Sequence, residues 1–549
     1  MSEPNIKKKY PNAFPTFNDE QLEQFAKVAE CHTYQDGDVL FAAGDRDFKF
    51  HVIKSGEIVI VDRSSGEPRE MLVHQAGEFT GDLANLTGSS ANADAIARGK
   101  TEVYEVCAEE LRHIISEQPA LSDTILSTFI ARLLALKDSD YTGLRVIGSR
   151  YSADTFRIRD FLTKNRVIFT WLDLETDSEV DALLKQFHVK PSDTPIVAYG
   201  SECVMRNPSN IELAERVGIS RPIEDALYDL AIVGGGPAGL AAAVYGASEG
   251  LKTIVLDKIA TGGQAGTSSK IENYLGFPTG VSGAELAGRA TIQAEKFGAR
   301  LSTPSSVNEL KFDDGFLTLY LENGEQLRAK SILIASGADY LKLDVENRER
   351  FDGAGVYYAA TQLEAQTCQG DEVMVVGGGN SAGQAAVFLA GSVRKVYVLI
   401  RGNDLNKNMS RYLSQRIEQT ENIELLTETE VTKLSGDEHL ETAEITNNKT
   451  GEKREIKTPA VFSFIGAIPR TDWLPPEIET DKKGFIKTGN DVANSRFWKL
   501  KRQPFYLETS RAGIFAAGDV RFNSVKRVAS AVGEGSMTVQ FVHEYLKEN

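Results

Sequence analysis

Residues 230–257 read LAIVGGGPAGLAAAVYGASEGLKTIVLD, and this stretch decides the fold of the larger part of the chain. An apolar strand runs into Gly234, Gly236 and Gly239, spaced as G-x-G-x-x-G, and an Ala-rich helical segment follows. The first glycine permits the tight turn, the second lets a pyrophosphate approach the backbone, and the third allows close helix–strand packing. The helix N-terminus adds N–H donors and a positive dipole end for the phosphates. Asp257 follows Gly234 by 23 positions, at the end of the next strand. Its carboxylate can accept hydrogen bonds from adenosine ribose hydroxyls and would repel a 2′-phosphate.

A second fingerprint lies at 372–402, EVMVVGGGNSAGQAAVFLAGSVRKVYVLIRG. Here Gly377, Gly379 and Ala382 take the three positions, with Asn380 and Ser381 between them, and the next strand ends in Arg401. A guanidinium there can pair with a 2′-phosphate, so this site leans towards NADPH over NADH; the bland reading of Arg401 is a solvated strand-end charge. Two such fingerprints imply two nucleotide cofactors, commonly a flavin and a nicotinamide, with hydride transfer between them.

The rest of the chain is organised differently. Its 549 residues exceed one hydrophobic core and imply three or four domains. Lys plus Arg number 61 against 78 Asp plus Glu, and the net charge of −17 argues against nucleic acid as a main partner. No two of the four cysteines (Cys31, Cys107, Cys203, Cys368) form a Cys-x-x-C, and the seven histidines lack metal-ligand spacing, so no metal site is expected. The N-terminal MSEPNIKKKYPN has no apolar stretch behind it, and the most apolar run, 230–247, is broken by five glycines and a proline. Neither a signal peptide nor a membrane span is expected, and the cytoplasm is the natural compartment. Residues 32–107 read as short strands with turns every 8–12 residues, an antiparallel sandwich or barrel, followed by helix over roughly 108–137. After a polar linker at 138–143, residues 144–219 alternate strand and helix, and SRPIEDA (220–226) links them to the first fingerprint.

Residues from about 227 to 549 resemble the low-molecular-weight thioredoxin reductases. GGGPAGLAAAVYGAS resembles their flavin motif, and GGQAGTSSKIENYLGFP (262–278) the segment that packs on the isoalloxazine. SGA (336–338) resembles the chain crossover, GIFAAGDV (513–520) the C-terminal flavin motif, and VKRVASAVGEGS the helix start that leads to the flavin. The resemblance implies an FAD domain split around an inserted NAD(P) domain, in a homodimer. It assigns FAD to Gly234, Gly236, Pro237, Ala238, Gly239, Asp257, Gly263, Gln264, Asn273, Gly337, Gly518, Asp519, Arg527 and Val528, with Asp519 on a ribityl hydroxyl. NADPH falls to Gly377, Gly379, Asn380, Ser381, Ala382 and Arg401.

The chain departs from that family where its chemistry is done. Ala359 and Gln362 stand where the redox cysteines belong, and neither side chain can take electrons or form a mixed disulfide. Cys368 is alone, six residues further on, and reads as an ordinary thiol. The basic 2′-phosphate cluster aligns with Ile400, Arg401, Gly402 and Asn406, so one arginine survives of three; Lys407 could compensate, or the donor could be NADH or a ferredoxin.

Two further resemblances complete the chain. VIGSRYSADTFRIRDFL resembles a thioredoxin or glutaredoxin active-site turn with Ser149-Arg150-Tyr151-Ser152 in place of Cys-x-x-C, and TPIVAYG the strand after the fold's cis-proline, Pro195. A redox-dead docking or spacing module is expected there; an unrelated small α/β domain is the alternative. DGDVLFAAGD and VIKSGEIVIV resemble the cyclic-nucleotide-binding jelly roll. Its phosphate cassette falls on Gly81-Asp82-Leu83 and Ala91-Asn92, where Ala91 replaces the arginine that neutralises the cyclic phosphate. A charge-assisted contact contributes roughly 1.5–3 kcal/mol, so cyclic-nucleotide binding should be weak, leaving another small effector or a purely structural role.

The expected fold class is therefore multidomain. It comprises a jelly roll (1–138), a degenerate thioredoxin/glutaredoxin fold (144–222), and a Rossmann-like FAD domain (227–343 and 471–549) split around a Rossmann-like NAD(P) domain (344–470). The expected function is an FAD-dependent, NAD(P)H-linked oxidoreductase passing electrons to a quinone, oxygen or a docked redox protein. The alternatives are a flavin-based sensor with little turnover and a ferredoxin-linked flavoprotein.

Overall fold

The computed structural model describes residues 9–548 apart from 47, 64–67, 83, 88–89, 138–143, 200–202 and 314–315. The chain divides into two units. One holds the residues up to Gly148 with Arg166–Arg221 and Glu295–Gly298; the other holds Ser149–Asn165, Pro222–Ala294 and Ala299 onwards.

In the first unit an antiparallel sheet pairs Phe50–Asp62 with Asp94–Val106, flanked by Glu30–Tyr34, Val39–Phe41 and Arg69–Gln75. The register of the two long strands shifts on either side of Gly56, whose φ of +87° is open to glycine and where a Cβ would lie 2.7 Å from the Lys100 carbonyl oxygen. The expected helical stretch is two helices, Ala108–Glu117 and Pro119–Lys137, because Pro119 has no N–H to continue the first. Their Leu111, Ile114, Ile115, Leu121, Ile125 and Phe129 close a core with Phe50 and Phe79. The linker at 138–143 lies outside the described residues.

The same unit carries a four-stranded mixed sheet in the order Thr170–Asp173, Leu144–Gly148, Ile196–Tyr199, Cys203–Arg206. The first pair is parallel and the others antiparallel. The Thr194–Pro195 peptide bond is cis, the isomer expected for Pro195. The final strand was not expected from the sequence.

In the second unit, Leu227–Val233 lies between Thr253–Leu256 and Gln326–Ile334 in a parallel core, and Arg300–Ser302 and Ile514–Ala516 join in the same sense. The antiparallel Val307–Asp313 and Phe316–Leu321 extend one side. A second, wholly parallel sheet runs Val356–Tyr357, Ala460–Ser463, Glu372–Val376, Lys395–Leu399, Ile423–Leu426. Its strands are apolar on both faces, as a sheet covered on both sides requires. The chain passes between the lobes twice, through Ala338–Tyr340 and Ala467–Pro469, which pair antiparallel. The C-terminal part of the sequence thus returns to the first sheet, so the lobe of the second sheet, where the nicotinamide is expected, is an insertion within the lobe of the first, where the flavin is expected.

Candidate functional site

The first fingerprint turns after Leu227–Val233 and opens the helix Pro237–Ser248. Gly234 has φ +107°, and a Cβ on it would lie 2.3 Å from the Ala335 carbonyl oxygen. A Cβ on Gly239 would fall 1.9 Å from the Gly234 carbonyl oxygen, so helix and strand touch there. At Gly236 the nearest atom to a Cβ is Gly263 Cα at 3.9 Å, leaving the backbone open to a ligand. This is the division of labour a bound pyrophosphate needs, and the residues present fit FAD.

Asp257, expected to face a ribose, is also hydrogen-bonded to the protein's own backbone. Its Oδ2 accepts from Gly235 N at 2.7 Å, and its Oδ1 accepts from Ile259 N at 2.9 Å and Ala260 N at 3.1 Å. Burial pushes its pKa up against the pull of those donors, so the carboxylate ties the glycine turn to the following loop. Gly263 and Gln264 belong to a short turn of helix, Gly263–Gly266, pinned to the fingerprint by Gly262 N donating to the Gly235 carbonyl at 2.7 Å. Gln264 Nε2 donates to the Ala338 carbonyl, next to Gly337, whose φ of +68° makes the crossover bend. Pro237 and Ala238 start the first helix, and Asn273 is exposed in the segment that follows.

At the other end of the flavin lobe, Gly518 and Asp519 lie on the turn Gly518–Val520 after Ile514–Ala516. The Asp519 carboxylate accepts no hydrogen bond among the described residues, and half-burial pushes its pKa up. An acceptor left without a donor beside a nucleotide cradle suits a ribityl hydroxyl. Beneath the turn, Glu534 accepts from Gly518 N at 2.7 Å and forms a buried ion pair with Arg521. Sequence reasoning missed this pair, since its members are 13 residues apart on a turn and a helix. Arg527 is exposed and Val528 begins the helix Val528–Glu548.

The second cradle repeats the first. Gly377 has φ +145°, and a Cβ there would lie 2.5 Å from the Phe464 carbonyl oxygen, whereas a Cβ on Gly379 would meet nothing within 4 Å. Asn380, Ser381 and Ala382 open the helix Asn380–Ala390. Asn380 Oδ1 is already used, accepting from Ser410 N at 2.7 Å, and Ser381 Oγ lies 3.5 Å from the Tyr340 hydroxyl. Arg401 is exposed, as are Lys407 and Arg411 beyond it.

Ala359 is half-buried and Gln362 is the exposed first residue of the helix Gln362–Thr367, capped by Thr361 and Glu364. Cys368 ends that helix at 1% exposure, and burial drives its thiol pKa well up, so it is no thiolate donor.

In the first unit, Gly81 has φ +93° and Asp82 Oδ1 accepts from Ala84 N at 2.7 Å; Leu83 lies outside the described residues. Ala91 is buried, with its N–H on the Asp45 carbonyl and its carbonyl on Gly44 N. Asn92 hydrogen-bonds Asp82, whose pKa burial raises. Arg132 comes nearest to replacing the missing cation, but its guanidinium is committed to the Ala13 and Phe79 carbonyls at 2.9 and 2.8 Å and to that of Gly81. Burial pushes its pKa down to about 10. Among the described residues, no group of three or more His, Cys, Asp or Glu is placed to hold a metal, and no helix is long and apolar enough to cross a membrane.

Comparison with known proteins assigns both ends of the chain. Residues 228–535 match the family model described as pyridine nucleotide-disulphide oxidoreductase, and residues 31–118 match that of the cyclic nucleotide-binding domain. The thioredoxin reductase of Peptoclostridium litorale is 31% identical over 328 residues, covering 59% of this chain and 98% of that protein. That of Bacillus subtilis is 32% identical over 330 residues, covering 59% and 96%. Among solved structures, Lactococcus lactis thioredoxin reductase in its FR conformation superposes with a TM-score of 0.53 at 28% identity, covering 59% of this chain and all of that one.

Proposed function

The chain belongs to the pyridine nucleotide-disulphide oxidoreductase family, and from that premise we propose an FAD- and NADPH-dependent oxidoreductase that works without an internal dithiol. The observation that carries this reading is the pairing of two open glycine cradles with a dithiol segment that holds Ala359 and Gln362. Bound side by side, FAD and NADPH supply hydride transfer and storage of the electron pair. The chain's own residues then bind and orient. Gly234, Gly236 and Gly239 admit the flavin pyrophosphate, Asp257 fixes their turn and faces the adenosine ribose, and Asp519 accepts from the ribityl chain. Gly379 and the first turn of Asn380–Ala390 take the second pyrophosphate. Arg401 pairs with the 2′-phosphate, and because it stands alone the preference for NADPH over NADH is small.

Electrons leave the flavin directly for an external acceptor, a quinone or a docked redox protein. Cys368 cannot stand in for the lost pair, being buried and held protonated. What supports reading 144–222 as a redox-dead thioredoxin/glutaredoxin-like module is its mixed four-stranded sheet with Ser149 and Ser152 at the turn. The jelly roll is regulatory, with a small effector other than a tightly held cyclic nucleotide. The assembly is a homodimer, as the resemblance to thioredoxin reductases implies, and the free Cys31, Cys107 and Cys368 support the cytoplasm as its compartment.

Anaerobic mixing of the flavin-loaded protein with NADPH or NADH tests the proposal. Bleaching of the flavin band within seconds, and repeated turnover once a quinone is added, is the expected result. Reduction by reduced ferredoxin alone would move the donor assignment to that partner. No reduction by any of the three would leave a flavin-based sensor and overturn the enzyme reading.

A further inference from the structure

The flavin and nicotinamide lobes are joined covalently by only the two crossover strands, Ala338–Tyr340 and Ala467–Pro469. Two lobes on such a hinge are expected to move relative to one another unless something else holds them. Among the described residues the direct side-chain links between them are weak ones, with a solvent-accessible Lys342–Asp352 pair at 2.9 Å and the Tyr340 and Phe464 rings 5.4 Å apart beside the crossovers. Tyr340 and Ser381 meet at 3.5 Å, and the Arg416–Glu272 pair at 2.8 Å is exposed enough to contribute little.

One segment touches both lobes. Ser149–Asn165 belongs to the second unit, although the residues on either side of it belong to the first. Ser152 caps the helix Ala153–Lys164 by accepting from Thr155 N, and its twelve residues span roughly 18 Å. The N-terminal part lies on the nicotinamide lobe. The Tyr151 ring stacks on His439 with centroids 3.9 Å apart and planes 17° from parallel. Ala153 sits 3.3 Å from where a Cβ on Gly353 would project, and Phe156 packs on Tyr357 at 5.2 Å between ring centroids and joins that lobe's core. Arg150 attracts Asp371 and Arg159 lies near Tyr357, while Asp160 and Glu364 are close enough to repel one another. The helix therefore runs beside the segment that holds Ala359 and Gln362.

Its other end is on the flavin lobe. Asn165 Nδ2 donates to the Ile259 carbonyl at 3.0 Å and to Phe161 O at 2.9 Å, which leaves its Oδ1 for the Thr303 hydroxyl at 3.4 Å. Ile259 follows the strand that ends in Asp257, and its own N–H donates to that carboxylate.

We propose that Ser149–Asn165 is a brace that fixes the nicotinamide lobe against the flavin lobe. The aromatic contacts at one end and the Asn165 amide at the other make the helix a rigid third connection across the hinge. The turn that would carry a Cys-x-x-C in a redox-active relative is thereby used as a lobe contact. The brace does not depend on which donor or acceptor the enzyme uses.

The test measures geometry rather than turnover. Spin labels are placed on Asn323→Cys in the flavin lobe and Thr450→Cys in the nicotinamide lobe, with Cys31, Cys107 and Cys203 replaced by serine. Pulsed dipolar spectroscopy on the full-length, flavin-loaded protein then gives the distance distribution between the lobes. A single narrow distribution is expected, broadened to about twice its width in the Tyr151→Ala/Asn165→Ala double variant. His439→Ala, which removes the same stack from the opposite side, is expected to act like Tyr151→Ala and serves where the double variant does not retain FAD. A broad distribution in the starting protein, or one unchanged by either variant, would overturn the proposal.

Discussion

The ion pair beneath the C-terminal flavin turn gives the sharpest quantitative test of how this fold holds FAD. Glu534 is 8% and Arg521 6% exposed, and one carboxylate serves both the guanidinium and the Gly518 N–H. Glu534→Ala leaves a buried cation unpaired and a buried backbone donor unsatisfied. Breaking a buried pair from one side costs about 3–5 kcal/mol, and the orphaned N–H contributes within that range rather than adding to it. For a domain of this size that corresponds to a melting-temperature drop of roughly 6–20 °C. Because the turn carries Asp519, the variant is also expected to lose FAD on desalting. Glu534→Gln keeps an acceptor for Gly518 and should lie between the two. Replacing both partners, as Arg521→Met/Glu534→Met, removes the charges together and should recover part of the stability without restoring the turn. The assays are thermal unfolding at a fixed excess of FAD and the flavin-to-protein absorbance ratio after desalting, since bound ligand itself raises the apparent stability. A Glu534→Ala protein that melts with the parent and retains its full flavin would refute the argument.

Three further outcomes follow from the geometry. Gly236→Val fills a space that holds no protein atom within 3.9 Å of the Cβ, so the protein should fold with near-parental stability yet purify without flavin; a yellow variant would show that the cradle lies elsewhere. Burial lifts the Glu295 carboxyl from 4.5 to about 7 despite the nearby Arg112, Arg166 and Arg221. The folded chain then binds that proton more tightly than the unfolded one, so stability falls as pH rises through this window and levels off above it. Glu295→Gln should remove that part of the fall, a difference of up to about 3 kcal/mol at pH 8 that unfolding curves at several pH values would reveal, and parallel curves for the two proteins would contradict it. Calorimetric titration with cAMP and cGMP should give no submicromolar binding, because Ala91 is buried and Arg132 is spent on carbonyls; tight binding would show that the cassette has another cation.

The two glycine turns were legible because their constraints are local. A positive φ at Gly234, a close approach at Gly239 and an open backbone at Gly236 act within six residues, and the spacing of the glycines records them. The capping of Gln362–Thr367 was equally local, and the T-x-x-E of Thr361–Glu364 could have placed that helix start from the sequence. Arg132, Glu534 and Asn165 were not legible, since each acts through partners that only tertiary packing brings near. Arg132 reaches carbonyls 51 to 119 residues away, and Asn165 bonds Ile259 across 94. Nothing in the composition around an arginine or an asparagine says whether it will be a surface charge or a fixed support.

On the proposed readings of 144–222 as a redox-dead module and of Ser149–Asn165 as a brace, loss of chemistry and gain of support coincide at the serine turn. A Cys-x-x-C works by presenting an accessible thiolate to a partner. Tyr151 instead lies flat on His439, and the residues after it pack on the lobe that holds Ala359 and Gln362. A contact of that kind leaves Ser149 and Ser152 half-buried and restricts the very group that a redox turn must expose. Cysteines at 149–152 would therefore be of little use in this position, and so would a dithiol at 359–362 that a brace prevents from turning. On this argument the two substitutions are linked: once the helix is committed to holding the lobes, neither pair of thiols has a partner to reach. Restoring cysteine at Ala359 and Gln362 alone should then leave thioredoxin reduction absent, while the same pair combined with Tyr151→Ala/Asn165→Ala is the variant in which a dithiol could engage. Turnover with thioredoxin by the singly restored protein would show that the segment is free to move and that the brace does not constrain it.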